Sequence, residues 1–150
     1  MKTIYFVQHG LANTREIDLK RGLSDIGSEQ TSKVATYLQH HKIVINKICH
    51  SGKLRASQTA AIFSDVLSIP NVCELNCILP NEAPEELIKQ INSDAVMYIG
   101  HLPNLQKVLN LLLCQNIDNK VLSLQNSAVA CVEIEDTTAS LKWFITAEMS

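Results

Sequence analysis

Two histidines occupy the same kind of position in this sequence. His9 follows the apolar run Ile4-Tyr5-Phe6-Val7 and Gln8, with Gly10 behind it, and His101 follows the apolar run of residues 95–99 and Gly100. Short runs rich in β-branched and aromatic residues are strand signals. In an open α/β sheet, ligands bind beyond the carboxyl ends of the strands. Parallel strands in one sheet would therefore deliver both imidazoles to one rim. Arg55 opens a helical stretch after a further apolar run, and Arg21 lies on the loop after the first strand, so both are expected at that rim. Two imidazoles, two guanidinium groups and helix N-termini make a cationic pocket in a chain of formal net charge -2. Arginine presents a planar fork matched to phosphate oxygens, and helix N-termini add unpaired N–H donors. The expected ligand is a phosphoryl group. A neutral imidazole can also attack phosphorus and divide a difficult transfer into two easier steps.

The elements that must position these groups are read from periodicity. Strands are expected at residues 4–8, 44–50, 72–78, 95–99, 128–134 and 141–145. Helices are expected at 28–41, 55–67, 84–91 and 103–114. In the second helix Ala60, Ala61, Ile62, Val66 and Leu67 are taken as the buried side. Pro84 and Pro103 sit at helix starts, where a missing N–H costs nothing. Gly10 is expected to let the chain turn sharply and a ligand approach without meeting a Cβ. Residues 135–138 read as a hairpin turn. Strands alternating with helices imply an α/β three-layer sandwich: a mostly parallel central sheet, an antiparallel edge, and helices on both faces.

Composition narrows the classes. The chain has 150 residues, 46% of them hydrophobic and 19% charged, which suits a single folded domain over 1–150. The small net charge gives no bulk attraction to nucleic acid or anionic lipid. No apolar run approaches the roughly 18 residues of a membrane span, and the apolar stretch before Gln8 is too short for a signal peptide, so a cytoplasmic protein without nucleic-acid or membrane partners is expected. The five cysteines, at 49, 73, 77, 114 and 131, are odd in number and irregular in spacing. They suggest neither a disulfide framework nor a zinc set. Cys49 and Cys131 read as small core residues. No metal and no cofactor are expected.

Four stretches, IYFVQHGLA at 4–12, RGLSDIG at 21–27, SGKLRASQTA at 51–60 and YIGHLPNL at 98–105, resemble the histidine phosphatase superfamily, with NSAVACVEIE at 126–135 as a weaker fifth. Within that superfamily, whose fold is phosphoglycerate-mutase-like, the chain is similar to the short SixA-type phosphohistidine phosphatases. The resemblance implies that His9 is the nucleophile and that Arg55 and His101 bind the phosphate and stabilise charge in transfer. It places Arg21 on the substrate groove. The implied partner is a phosphorylated protein, such as a histidine phosphotransfer domain, because the short spacing between motifs leaves no room for an inserted cap. The alternatives are a phosphatase of small phosphoesters and a non-catalytic phosphoprotein-binding module.

One departure favours the last of these. The family signature is Arg-His-Gly, whereas this chain reads Gln8-His9-Gly10. Gln8 keeps an amide donor toward phosphate and loses the charge. A proton donor is also not evident. Glu82, between Pro80 and Pro84, is the nearest candidate and reads equally well as a solvated loop charge. Asp18 is expected either to pair with Arg21 or to face water. His40, His41 and His50 match no motif and are given no catalytic role.

Overall fold

The computed structural model describes residues 1–150 and contains one six-stranded sheet. Strand β1 (Lys2–Gln8) is central, and its residues Ile4 to Val7 are all buried. Such an unbroken apolar run is what a strand covered on both faces requires. The alternation of side chains then divides it. Ile4 and Phe6 face one core with Tyr98, Leu105 and Leu109, while Tyr5 and Val7 face the other with Met97, Leu38 and Phe63.

Helices α1 (Asp25–His40) and α2 (Leu54–Leu67) cover one face, and α3 (Pro84–Gln90) and α4 (Asn104–Cys114) cover the other. The remaining strands are β2 (Lys47–His50), β3 (Val72–Glu74), β4 (Val96–Gly100), β5 (Val129–Glu135) and β6 (Thr138–Ile145). They pair in the order β3-β2-β4-β1-β5-β6. The pairs β3–β2, β2–β4 and β4–β1 are parallel, and β1–β5 and β5–β6 are antiparallel. This is the expected three-layer sandwich with an antiparallel edge.

Several boundaries differ from expectation, each for a local reason. Helix α1 begins at Asp25 because the Ser24 hydroxyl accepts the Gly27 N–H at 3.0 Å, a cap placed before the periodic apolar residues. Strand β2 begins only at Lys47, and Val44 ahead of it is 65% exposed. The third strand stops at Glu74, and residues Asn76–Ile78 form a 3-10 turn that carries Cys77 off the sheet. The buried side of α2 is Ala56, Thr59, Ala60 and Phe63, whereas Ala61 is exposed and Ile62, Val66 and Leu67 are only half-buried. Strand β6 starts at Thr138, earlier than its apolar residues, because its small polar beginning belongs to a sheet edge.

Gly10 also has a different reason to be glycine. A Cβ there would stand 2.7 Å from Thr31 Oγ1 and 2.9 Å from Leu23 Cδ2, against α1 and the loop before it. The position secures close packing behind the site, not a ligand's approach. Over-filling such a contact costs about 1–3 kcal/mol. Gly10→Ala should therefore lower stability by about that amount, read as a lower urea midpoint with an unchanged slope.

Candidate active site

The parallel register builds the site. Gln8 is paired with Gly100, and the His9 N–H continues the ladder to the Gly100 carbonyl at 3.0 Å. His9 and His101 are the next residues of adjacent strands, and their ring centroids lie 4.9 Å apart. Arg55 is the second residue of α2, which follows the neighbouring strand β2, and its Nε–H donates to His9 Nε2 at 3.3 Å. The predicted trio of His9, Arg55 and His101 is thus brought together.

The orientation of His9 can be worked out from its partners. Its Nδ1 lies 2.7 Å from the Gly10 carbonyl oxygen, which can only accept, so Nδ1 carries the ring hydrogen. Nε2 is then left with a lone pair, consistent with its accepting from Arg55. Burial lowers the His9 pKa to about 4, and Arg55 and Arg21 push in the same direction against the Gly10 hydrogen bond. His101 is only 2% exposed. Burial, followed by His9, Arg55 and Lys53, lowers its pKa to about 3. Both rings are neutral near pH 7, and the His9 Nε2 lone pair is turned toward Arg55.

His101 Nε2 lies 2.6 Å from the Ser51 hydroxyl, which also accepts the Lys53 N–H at 3.3 Å. With Ser51 donating to Nε2, the ring hydrogen sits on Nδ1, a buried atom without a protein partner. Thr59 holds two parts of the site at once: its Oγ1 accepts the Gly10 N–H at 2.9 Å and donates to the Arg55 carbonyl at 2.7 Å. Asn126 Nδ2 donates to the His9 carbonyl at 2.9 Å, and Ser127 meets Thr31 at 2.8 Å directly behind it. Ser51, Thr59 and Asn126 were not assigned roles from sequence, although each lies inside a motif stretch. Their roles depend on which backbone group stands opposite each hydroxyl or amide.

Arg21 is on the first loop as expected, in the left-handed region at φ 49°, with its Nε–H donating to the Asn13 carbonyl at 3.0 Å. Holding a non-glycine residue there costs on the order of 1 kcal/mol or more. Asp18 does neither of the things expected of it. Its carboxylate accepts the Lys20 and Gly22 N–H groups at 3.0 and 2.8 Å and folds the loop. Arg15 and Arg21 both depress the Arg55 pKa, after burial, so three guanidinium groups lie within electrostatic range of each other. None of them is in an ion pair. Gln8 is half-buried at the end of β1.

Glu82 is exposed and lines an acidic groove with Glu74, Glu86 and Cys77, while its backbone carbonyl accepts from Asn104 at 2.8 Å. No carboxylate hydrogen-bonds the imidazole of His9 or His101. The concavities of about 630 and 650 Å³ lie elsewhere and include none of His9, Arg55 and His101. At this rim His9 and Arg55 are half-buried and His101 is buried. No helix is long and apolar enough to cross a membrane.

No family model and no curated protein matches the chain. Solved structures do. The protein histidine phosphatase SixA complexed with tungstate is 22% identical, with 97% of each chain covered and a TM-score of 0.81. The alpha-ribazole phosphatase from Shigella flexneri is 14% identical, covering 97% of this chain and 96% of its own, with a TM-score of 0.73. A phosphoserine phosphatase mutant from Entamoeba histolytica in complex with phosphoserine is 12% identical over 99% of each chain, with a TM-score of 0.70. The chain has the phosphoglycerate-mutase-like fold that these proteins share.

The lowered histidine pKa values set a pH dependence of stability. An unfolded chain takes up protons on these rings below about 6.5, while the folded one resists until about 4 at His9 and about 3 at His101. The unfolded state therefore binds more protons in that window, and stability falls as pH drops through it. The urea midpoint should be level above pH 6.5 as far as these groups are concerned, and should decline toward pH 4. His101→Asn should make that decline shallower.

Proposed function

We propose that this chain is a phosphatase that uses His9 as its nucleophile and acts on a phosphohistidine-bearing protein, such as a histidine phosphotransfer domain. The observation that carries the reading is the His9 ring: Nδ1 is anchored 2.7 Å from the Gly10 carbonyl, and the bare Nε2 faces Arg55 at 3.3 Å. A structural histidine has no need of an unprotonated nitrogen held among uncompensated cations. An incoming phosphoryl group supplies the missing negative charge.

In this mechanism the phosphoryl oxygens take the Arg55 N–H groups from His9 Nε2. That exchange is easy, because 3.3 Å is long for such a bond. Nε2 attacks phosphorus, the bond from phosphorus to the substrate imidazole breaks, and a phosphohistidine forms on His9. Water then attacks phosphorus, and the bond from phosphorus to Nε2 breaks with its electron pair returning to the ring. Inorganic phosphate leaves with the water's oxygen, while the water's proton passes to a phosphate oxygen or to solvent. Arg55, His101 and Arg21 stabilise charge on the equatorial oxygens, and phosphoryl transfer needs little beyond such positioning and electrostatics. An imidazole leaving group is easier to expel than an alkoxide, so the absence of a carboxylate beside the rings favours phosphohistidine over phosphoesters. Tungstate in the SixA neighbour, a tetrahedral oxyanion, supports a phosphoryl ligand.

Gln8 favours a second reading, a phosphoprotein-binding module without turnover. Charge-assisted hydrogen bonds are worth roughly 1.5–3 kcal/mol against about 1 for neutral ones. Losing the difference, about 0.5–2 kcal/mol, slows transfer roughly twofold to thirtyfold without ending it. Single-turnover dephosphorylation of a phosphorylated histidine phosphotransfer domain tests both readings. The phosphatase reading expects phosphate release by the wild type, none by His9→Ala, and release roughly twofold to thirtyfold faster by Gln8→Arg. Turnover that appears only in Gln8→Arg would assign the natural chain to the binding class. Faster release of p-nitrophenol from p-nitrophenyl phosphate than of phosphate from the phosphoprotein would assign it to small phosphoesters.

A further inference from the structure

The loop that carries Arg21 has a second property that phosphate binding does not use. Its base is closed by the bridge between Ala12 and Leu23 and by the Asn13 N–H to the Gly22 carbonyl at 2.8 Å. The Asp18 carboxylate folds its tip, as described above. Gly22 packs against Leu54 and Gln58 of α2, and the Leu23 N–H donates to Gln58 Oε1 at 2.6 Å, so the loop is seated on the helix that supplies Arg55. On this tied backbone stand the two most exposed large hydrophobic side chains of the protein, Leu19 at 88% and Ile17 at 77%. Leu11 and Leu102, one residue beyond Gly10 and His101, are also exposed. Exposed large apolar side chains thus stand on the loop that carries Arg21 and next to Gly10 and His101 in the chain, and groups of such side chains mark interaction surfaces.

Resting on the phosphatase reading, we propose that the loop of residues 14–20 is the surface against which the phosphorylated protein docks, with Ile17 and Leu19 as its apolar contacts. Arg15 and Lys20 flank them, and neither is in an ion pair. The partner therefore presents an apolar patch with acidic neighbours beside its phosphorylated side chain. A small phosphoester fills the pocket without reaching the tip, so the loop discriminates for a protein surface. An anionic membrane would also attract aliphatic and basic side chains. Continuity with the pocket, where a phosphoryl group must enter, favours a protein.

The test is the exposed double variant Ile17→Ser/Leu19→Ser, with its melting temperature checked against the wild type. Loss of two central apolar contacts should lower kcat/KM for a phosphorylated histidine phosphotransfer domain by roughly tenfold or more, mainly through KM. Hydrolysis of p-nitrophenyl phosphate should stay within about twofold. Unchanged kinetics on the phosphoprotein, or an equal fall on both substrates, would overturn the docking role. So would binding of the wild type to phosphatidylserine vesicles that the double variant loses while its phosphoprotein kinetics are unaltered. If the wild type turns over neither substrate, the phosphatase reading fails on its own. The loop is then judged by affinity for the phosphorylated domain: a weaker complex with the double variant upholds docking, and an equal one refutes it.

Discussion

The pairing of β1 with β4 is the constraint on which everything else rests. Because the strands are parallel and Gln8 is opposite Gly100, one histidine from each reaches the rim at the same height. A shift of one residue would turn Ile4, Phe6 and their neighbours to the wrong core and carry His9 to the opposite face. The two cores therefore hold the register, and the register holds the chemistry. Burial in this fold does more than stabilise it, since the alternation of apolar side chains along β1 determines where an imidazole stands some distance away.

Electrostatics at the rim follows from that placement. His9, His101 and Arg55 are all pushed toward their uncharged forms, chiefly by burial. In folding terms the arrangement is unfavourable, because cations face each other without carboxylates. Local departures from stability of this kind are expected where a site is organised for a ligand that carries the compensating charge. Gln8 fits the same frame. Its uncharged amide adds no further positive charge to a crowded cluster.

The layout of the fold was largely legible from the sequence. Continuous apolar runs marked the doubly covered strands, and helices between them implied parallel pairing. Strand ends with histidine located the rim, and the motif stretches identified the trio there. Features that depend on contacts between distant segments could not be read in that way. The capping hydroxyl of Ser24, the double bonding of Thr59 and the reach of Asn126 to His9 all concern which polar atom meets which. Composition along one segment carries no record of that. Gly10 was misread for the same reason, since the atoms that exclude a Cβ there come from Thr31 and Leu23. Cys73 and Cys77 looked like members of one strand until the 3-10 turn separated them and left Cys73 opposite Cys49, their sulfurs 2.9 Å apart.

The central place of β1 has a consequence for how the chain is made. Its two sheet neighbours, β4 and β5, both lie in the later part of the sequence, and Asn126 reaches back 117 positions to the His9 carbonyl. During synthesis, then, β1, which leads into His9, is made before either of its sheet neighbours and pairs with them late. Until β4 has been made, β1 and its apolar run from Ile4 to Val7 have neither of their sheet neighbours. Contacts so distant in sequence slow folding and leave such a strand open to other chains. A fragment that stops before β4 and His101 lacks one of the two imidazoles of the rim.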